Sequence, residues 1–130
     1  MDTQSIVIPG EIRHVFSTLL LNAMEAVPSG GTINVRVRKS LSWNNSGTCG
    51  IRVAIADNGI GIPPNNTARI FEPFFTTKGE QGTGLGLWVA SGILSRLGGS
   101  IRMSSSVHSG KSGTCFSIFL PSKTLSKVGD

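Results

Sequence analysis

The chain has 130 residues, among them 17 glycines, nearly double the usual share of about 7%; with 38% other apolar residues it has ample core material, which excludes a disordered segment. The net charge of +5, from twelve Lys and Arg against seven Asp and Glu, is spread from Arg13 to Lys127. It comes with no tyrosine and 6% aromatics, so no nucleic-acid interface is expected. No apolar run reaches the roughly 18 residues of a membrane span, and Cys49 and Cys115 lack CxxC spacing, which excludes a disulfide scaffold or zinc site and fits a reduced, cytoplasmic setting.

A weakly marked strand is expected over residues 5–8. Residues 11–27 read as a helix, because Ile12, Val15, Phe16, Leu19, Ala23, Ala26 and Val27 recur at steps of three and four; Pro28-Ser29-Gly30-Gly31 ends it. Alternating runs at 32–38 and 51–57 predict two strands joined by the polar loop 42–47. Residues 62–81 form a long loop with at most one helical turn, near 68–71, and loops of that length inside a compact domain are usually functional. A second helix over 85–97 stops at Gly98-Gly99. Strands at 100–106 and 114–120 follow, and 122–130 reads as a tail. The whole is one α/β domain spanning 1–130, with its core at about 5–121.

Three places carry chemistry. On the first helix, Asn22 lies at the border between the apolar arc and a polar arc of Glu11, His14, Thr18 and Glu25. A poor helix former, costly to bury without partners, needs a reason there; it either caps a neighbouring loop or serves a ligand. In Asp57-Asn58-Gly59-Ile60-Gly61, the period of two puts Asp57 on the same face as Val53 and Ile55, so the acid ends an apolar row and points inward. It either opens a tight turn or receives a donor such as a purine amine. Gly82-Thr83-Gly84-Leu85-Gly86 runs straight into a helix, directing free N–H groups and the positive end of the helix dipole at one spot, which suits phosphate. It is neither a dinucleotide-binding GxGxxG after a strand nor a P-loop. Between the last two stands Phe71-Glu72-Pro73-Phe74-Phe75-Thr76-Thr77-Lys78, with half of the six phenylalanines within five residues. They either fill the core or close a lid.

Taken in order, Asn22-Ala23-Met24-Glu25-Ala26, Asp57 to Gly61, Phe71 to Lys78, Gly82 to Leu87 and Gly113-Thr114-Cys115-Phe116 resemble the catalytic, ATP-binding domain of two-component sensor histidine kinases. The resemblance implies a two-layer α/β sandwich of the Bergerat type, with a mixed sheet of about five strands backed by about three helices and a long ATP lid. It implies ATP and Mg2+ as cofactors, Asn22 holding the magnesium and Asp57 accepting a hydrogen bond from the adenine amine. Gly59 and Gly61 shape the adenine pocket, Phe74 and Phe75 anchor the lid, and Thr77 and Lys78 lie near the phosphates. Gly82, Thr83, Gly84, Leu85 and Gly86 contact the phosphates, and Thr114 lies beside the adenine through water. Asn22 and Lys78 are the catalytic candidates.

Two departures from the family pattern stand out. Thr18 occupies the place of a second Asn, or of the Glu base of hydrolytic relatives, which argues against an autonomous ATPase. Glu25 replaces a frequent basic residue and leaves more of the phosphate contact to Lys78. His14 and His108 do not sit in a phosphoacceptor motif. The implied partners are therefore a histidine-bearing dimerisation domain of the same kinase and then a response regulator. A nucleotide-binding regulatory module without transfer activity, and an anti-sigma-type protein-serine kinase, are the competing readings.

Overall fold

The computed structural model describes residues 4–7, 10–43, 47–75, 85–124 and 126–129. In chain order the elements are β1 (Gln4–Val7), α1 (Gly10–Ala26), β2 (Ile33–Leu41), β3 (Cys49–Asp57), α2 (Pro64–Thr67), α3 (Gly86–Arg96), β4 (Ser100–Ser106), β5 (Gly113–Pro121), a 3-10 turn (Ser122–Thr124) and β6 (Ser126–Gly129). Strands β2, β3, β5 and β4, in that spatial order, make a sheet in which every neighbouring pair is antiparallel.

The α/β sandwich is as expected, but the sheet among the described residues has four strands and is not mixed. The physical reason is the chain path. The crossover from β3 through α3 to β4 leaves one strand position open, and β5 returns through it by a short hairpin. The parallel strands β3 and β4 therefore never become neighbours. The expected first strand does not join this sheet either; β1 pairs antiparallel with β6, Ile6 opposite Lys127. Residues 126–129, expected as a tail, thus have a partner for their backbone groups, a requirement that composition does not reveal.

Helix α1 forms where the 3.6-residue period was read. Ile12, Val15 and Leu19 are fully buried and Ala23 nearly so, each of the three larger side chains contributing about 1.5–3 kcal/mol through removal from water. They meet Val53 and Ile55 of β3, Phe116, Ile118 and Leu120 of β5, and Ala90, Ile93 and Leu94 of α3 in one core. The two helices lie antiparallel on the sheet: Glu11 at the start of α1 pairs with Arg96 at the end of α3, while Thr18 touches Gly86 at the start of α3. Helix α3 ends as expected, with Gly98 at φ +81 and the Gly99 N–H donating to the Leu94 carbonyl at 2.8 Å, a Schellman-type stop.

The one helical turn foreseen at 68–71 sits earlier, at Pro64–Thr67. Pro64 starts it, because the fixed φ and missing N–H of proline cost nothing in the first turn.

Candidate nucleotide site

Four segments converge at one end of the sandwich. They are the C-terminal half of α1, the turn leaving β3, the facing ends of β4 and β5, and the start of α3. Register explains the meeting: Asp57, last in β3, pairs with Thr114 near the start of β5, and Thr114 pairs with Ser105 near the end of β4.

Asp57 is half-buried, as its place in the inward row predicts. Its Oδ1 accepts the Gly59 N–H at 2.8 Å, so it does open a tight turn. A carboxylate offers about four acceptor positions, and this one contact leaves Oδ2 to receive a second donor. The turn and the ligand readings are therefore compatible. Gly59 is buried against α1, and a Cβ there would run into the Ala26 carbonyl; the Ile60 N–H donates to that same carbonyl at 3.3 Å. Gly61 has φ +78, and a Cβ on it would overlap the Ser106 carbonyl. Only glycine combines that backbone with that approach. Asn58 ties the turn to β2, its Oδ1 accepting the Thr32 N–H at 2.8 Å.

Thr114 is 6% exposed, the only buried polar side chain of the described core. Its Oγ1 lies 2.8 Å from Ser105 Oγ. The Ser105 hydroxyl donates to the Gly113 carbonyl at 2.9 Å and accepts the Ile62 N–H at 2.7 Å. A hydroxyl has one proton, so the Thr114 hydroxyl is the donor of their shared bond and keeps its lone pairs for a ligand or water. Sequence reasoning missed Ser105, one of three consecutive serines; the tertiary pairing alone distinguishes it from Ser104 and Ser106.

The phenylalanine box divides in two. Phe71 stands edge-on to Phe116 of the core, with ring centroids 6.4 Å apart at 88°, and Phe75 packs against the core beneath the Arg69 guanidinium, 4.5 Å from its ring. Phe74, expected as an anchor, is 75% exposed. Its backbone has a φ of 69°, and the contacts of this box with the core come from Phe71 and Phe75.

Asn22 is half-buried on α1, one turn beyond Thr18. Thr18 packs on Gly86, the methyl lying 3.2 Å from where a Cβ would be, so it fills a helix–helix contact. This places Asn22 on the side of α1 that meets the start of α3. The helix begins at Gly86 after Leu85, with no side-chain cap, leaving its first N–H groups open to an anion. Thr77, Lys78, Gly82, Thr83 and Gly84 lie outside the described residues. Two surface cavities, about 440 Å³ along α3 between Trp88 and Arg96 and about 180 Å³ beside Trp43, are lined by neither Asp57 nor Thr114.

These residues fit an adenine nucleotide: acceptors at Asp57 and Thr114, a close-packed glycine turn beside them, and a helix N-terminus for phosphate. The Asn22 amide is a hard oxygen donor, suited to a magnesium ion that takes its remaining ligands from phosphate and water.

An antiparallel sheet with α1 and α3 on one face, and an acid-and-glycine turn at the end of the sandwich where α3 starts, are the frame of a nucleotide-binding domain. Residues 8–124 match the family described as histidine kinase-, DNA gyrase B-, and HSP90-like ATPase, and the chain belongs to that family as an ATP-binding catalytic domain of the histidine-kinase type. It is 40% identical over 113 residues to the sensor histidine kinase ZraS of Salmonella typhimurium, a match covering 87% of this chain and 22% of that protein. It is 40% identical over 130 residues to the sensor kinase CckA of Brucella abortus, covering 93% and 13%. Among solved structures it is similar to the mycobacterial sensor histidine kinase MprB, with a TM-score of 0.71, 29% identity and 85% and 70% of the two chains covered. The catalytic domain of histidine kinase ThkA gives 0.69, 32%, 85% and 66%. The chain thus spans less than a quarter of these two curated relatives. Among the described residues no helix is long and apolar enough to cross a membrane.

Proposed function

We propose that this domain binds Mg-ATP and presents the γ-phosphate to a histidine on a separate dimerisation domain, as the kinase step of a cytoplasmic two-component phosphorelay that passes the phosphoryl group to a response regulator. The observation that carries the reading is Asp57, a half-buried carboxylate with Oδ1 committed to its own turn and capacity left for the adenine amine, beside a Thr114 hydroxyl that can accept from a bridging water.

Phosphoryl transfer asks the protein mainly for alignment and charge stabilisation. Asp57 and Thr114 fix the base, and Gly59 and Gly61 keep the turn low enough for a flat ring. The N–H groups at the start of α3, from Leu85 and Gly86, would receive the phosphates, and by the family resemblance Gly82, Thr83, Gly84, Thr77 and Lys78 would contact them as well. Lys78 offsets negative charge as the imidazole of the partner domain attacks in line. Asn22 would hold a magnesium ion through its amide oxygen, and that ion, when bound, would supply charge neutralisation during transfer. Phe71 and Phe75 pin the near end of the lid to the core. With Thr18 engaged in packing, no general base stands at that position to activate water, which favours transfer over hydrolysis.

The test mixes the chain with the dimerisation domain of its parent kinase and γ-labelled ATP. Label on the partner's histidine, lost with Asn22→Ala, is the expected result. ATP binding without labelling would instead establish a regulatory module, and failure to bind ATP would overturn the reading altogether.

A further inference from the structure

The sheet face turned away from α1 and α3 has a charge pattern that nucleotide binding does not use. By the strand register, Arg36 lies opposite Ala54, Ala54 opposite Ser117, and Ser117 opposite Arg102; one row along, Arg38 faces Arg52 and Arg52 faces Phe119. Four arginines thus share one face. The described carboxylates lie elsewhere: Glu11 and Glu25 on α1, Glu72 before the lid, and Asp57 on the helix side.

Two of these arginines are held in place. Trp43, just after β2, lies over the buried Phe119 at 6.3 Å between ring centroids. The guanidinium of Arg52, from β3, sits 4.9 Å from the indole centre and that of Arg102, from β4, 4.4 Å. The two strands flank β5, so one aromatic ring draws cations from both sides of it. The Arg52 Nε is buried with no hydrogen-bond partner among the described residues. Like charges gathered at fixed positions, with a donor left unsatisfied, are complementary to an anionic partner. The floor between the arginines is low, made of Ala54, Ala56, Cys115 and Ser117, all partly open to solvent. From β2 to β4 it spans three strand spacings, about 14 Å, wide enough for one helix of roughly 10–12 Å diameter or an extended chain.

We propose that this open face docks an acidic polypeptide segment of a partner protein. A single-stranded nucleic acid would need exposed rings on which bases stack, whereas Phe119 is 1% exposed and Trp43 is already engaged by the two arginines. A membrane surface would need apolar side chains to insert, whereas the exposed Val35, Val37 and Leu41 of β2 belong to the opposite face by alternation.

The probe is a fluorescent polyglutamate of about 20 residues, titrated by anisotropy into the full chain at low and physiological salt. Binding is expected, weakening as salt screens the contact, and falling at least tenfold in R36E/R38E, both exposed on the edge strand. R13E/K111E changes net charge equally, on α1 and in the turn between β4 and β5, and is expected to leave affinity within twofold. Asp57→Asn, which on the preceding reading loses ATP, is expected to keep polyglutamate binding, so the two ideas fail separately. Equal loss in R36E/R38E and R13E/K111E would overturn the proposal. So would tighter binding of an oligoadenylate or of phosphatidylserine vesicles to the same arginines.

Discussion

Asp57 and Thr114 are register partners across β3 and β5, and both present acceptors: the acid by its charge, the threonine because its proton goes to Ser105. A base offering a donor at that edge is matched, and one offering an acceptor is repelled. Adenine carries an exocyclic amine where guanine carries a carbonyl. ATP should therefore bind at least tenfold more tightly than GTP, a charge-assisted hydrogen bond contributing about 1.5–3 kcal/mol. Asp57→Asn should remove ATP binding by a similar factor while the melting temperature stays near wild type, because an amide oxygen can still cap Gly59. Calorimetric titration with both nucleotides checks this.

Ser105→Ala should be costly despite the small change. It strands the Ile62 N–H, the Gly113 carbonyl and the Thr114 hydroxyl together. Each unsatisfied group costs about 1–3 kcal/mol when buried, and these are part-buried, so a total of about 2–4 kcal/mol is expected. A double-mutant cycle with Thr114→Val in urea should give a coupling of at least about 0.5 kcal/mol. Additivity within error would mean the hydroxyl pair is incidental.

Gly61→Ala and Gly30→Ala separate backbone strain from close approach. Both glycines have positive φ, but a Cβ at Gly30 would meet nothing, whereas at Gly61 it would overlap the Ser106 carbonyl. Gly30→Ala should cost about 1 kcal/mol. Gly61→Ala should cost about 3 kcal/mol or more and impair ATP binding as well, since the turn must shift off β4. Equal urea midpoints for the two variants would remove the tertiary contact from the account.

The two links between α1 and its surroundings should differ widely in worth. Glu11 and Arg96 are more than half exposed, so Glu11→Ala should cost under about 1 kcal/mol and less in high salt. Ile12→Ala, one residue on and fully buried, should cost about 2–5 kcal/mol. Thermal unfolding at two ionic strengths distinguishes them.

Much of the fold was legible because its signals are local. The apolar steps of α1, the alternation that set Asp57 among Val53 and Ile55, and the Gly98-Gly99 stop are properties of a few neighbouring residues. The helical turn expected near 68–71 lies at Pro64–Thr67, because proline is well suited to the first turn of a helix. That Phe74 stands exposed while Phe71 and Phe75 pack on the core does not show in residue type, because the three rings are chemically alike.

From its sequence alone this protein was read as an α/β domain, with Asn22, Asp57, Gly59, Gly61 and the glycine-rich helix start as ligand candidates, and the resemblance of its ordered motifs to the sensor-kinase domain supplied the nucleotide. Only the tertiary structure decided that the sheet is antiparallel throughout and that residues 126–129 pair with β1. It alone singled out Ser105 from its neighbours, added Arg52 and Arg102 to the face that Arg36 and Arg38 share by alternation, and set those two against Trp43. Those facts depend on strand register between segments distant in the chain. Register is fixed by how the whole core packs; alternation within β2 puts Arg36 and Arg38 on one face, but the sequence carries no trace of Arg52 and Arg102 beside them.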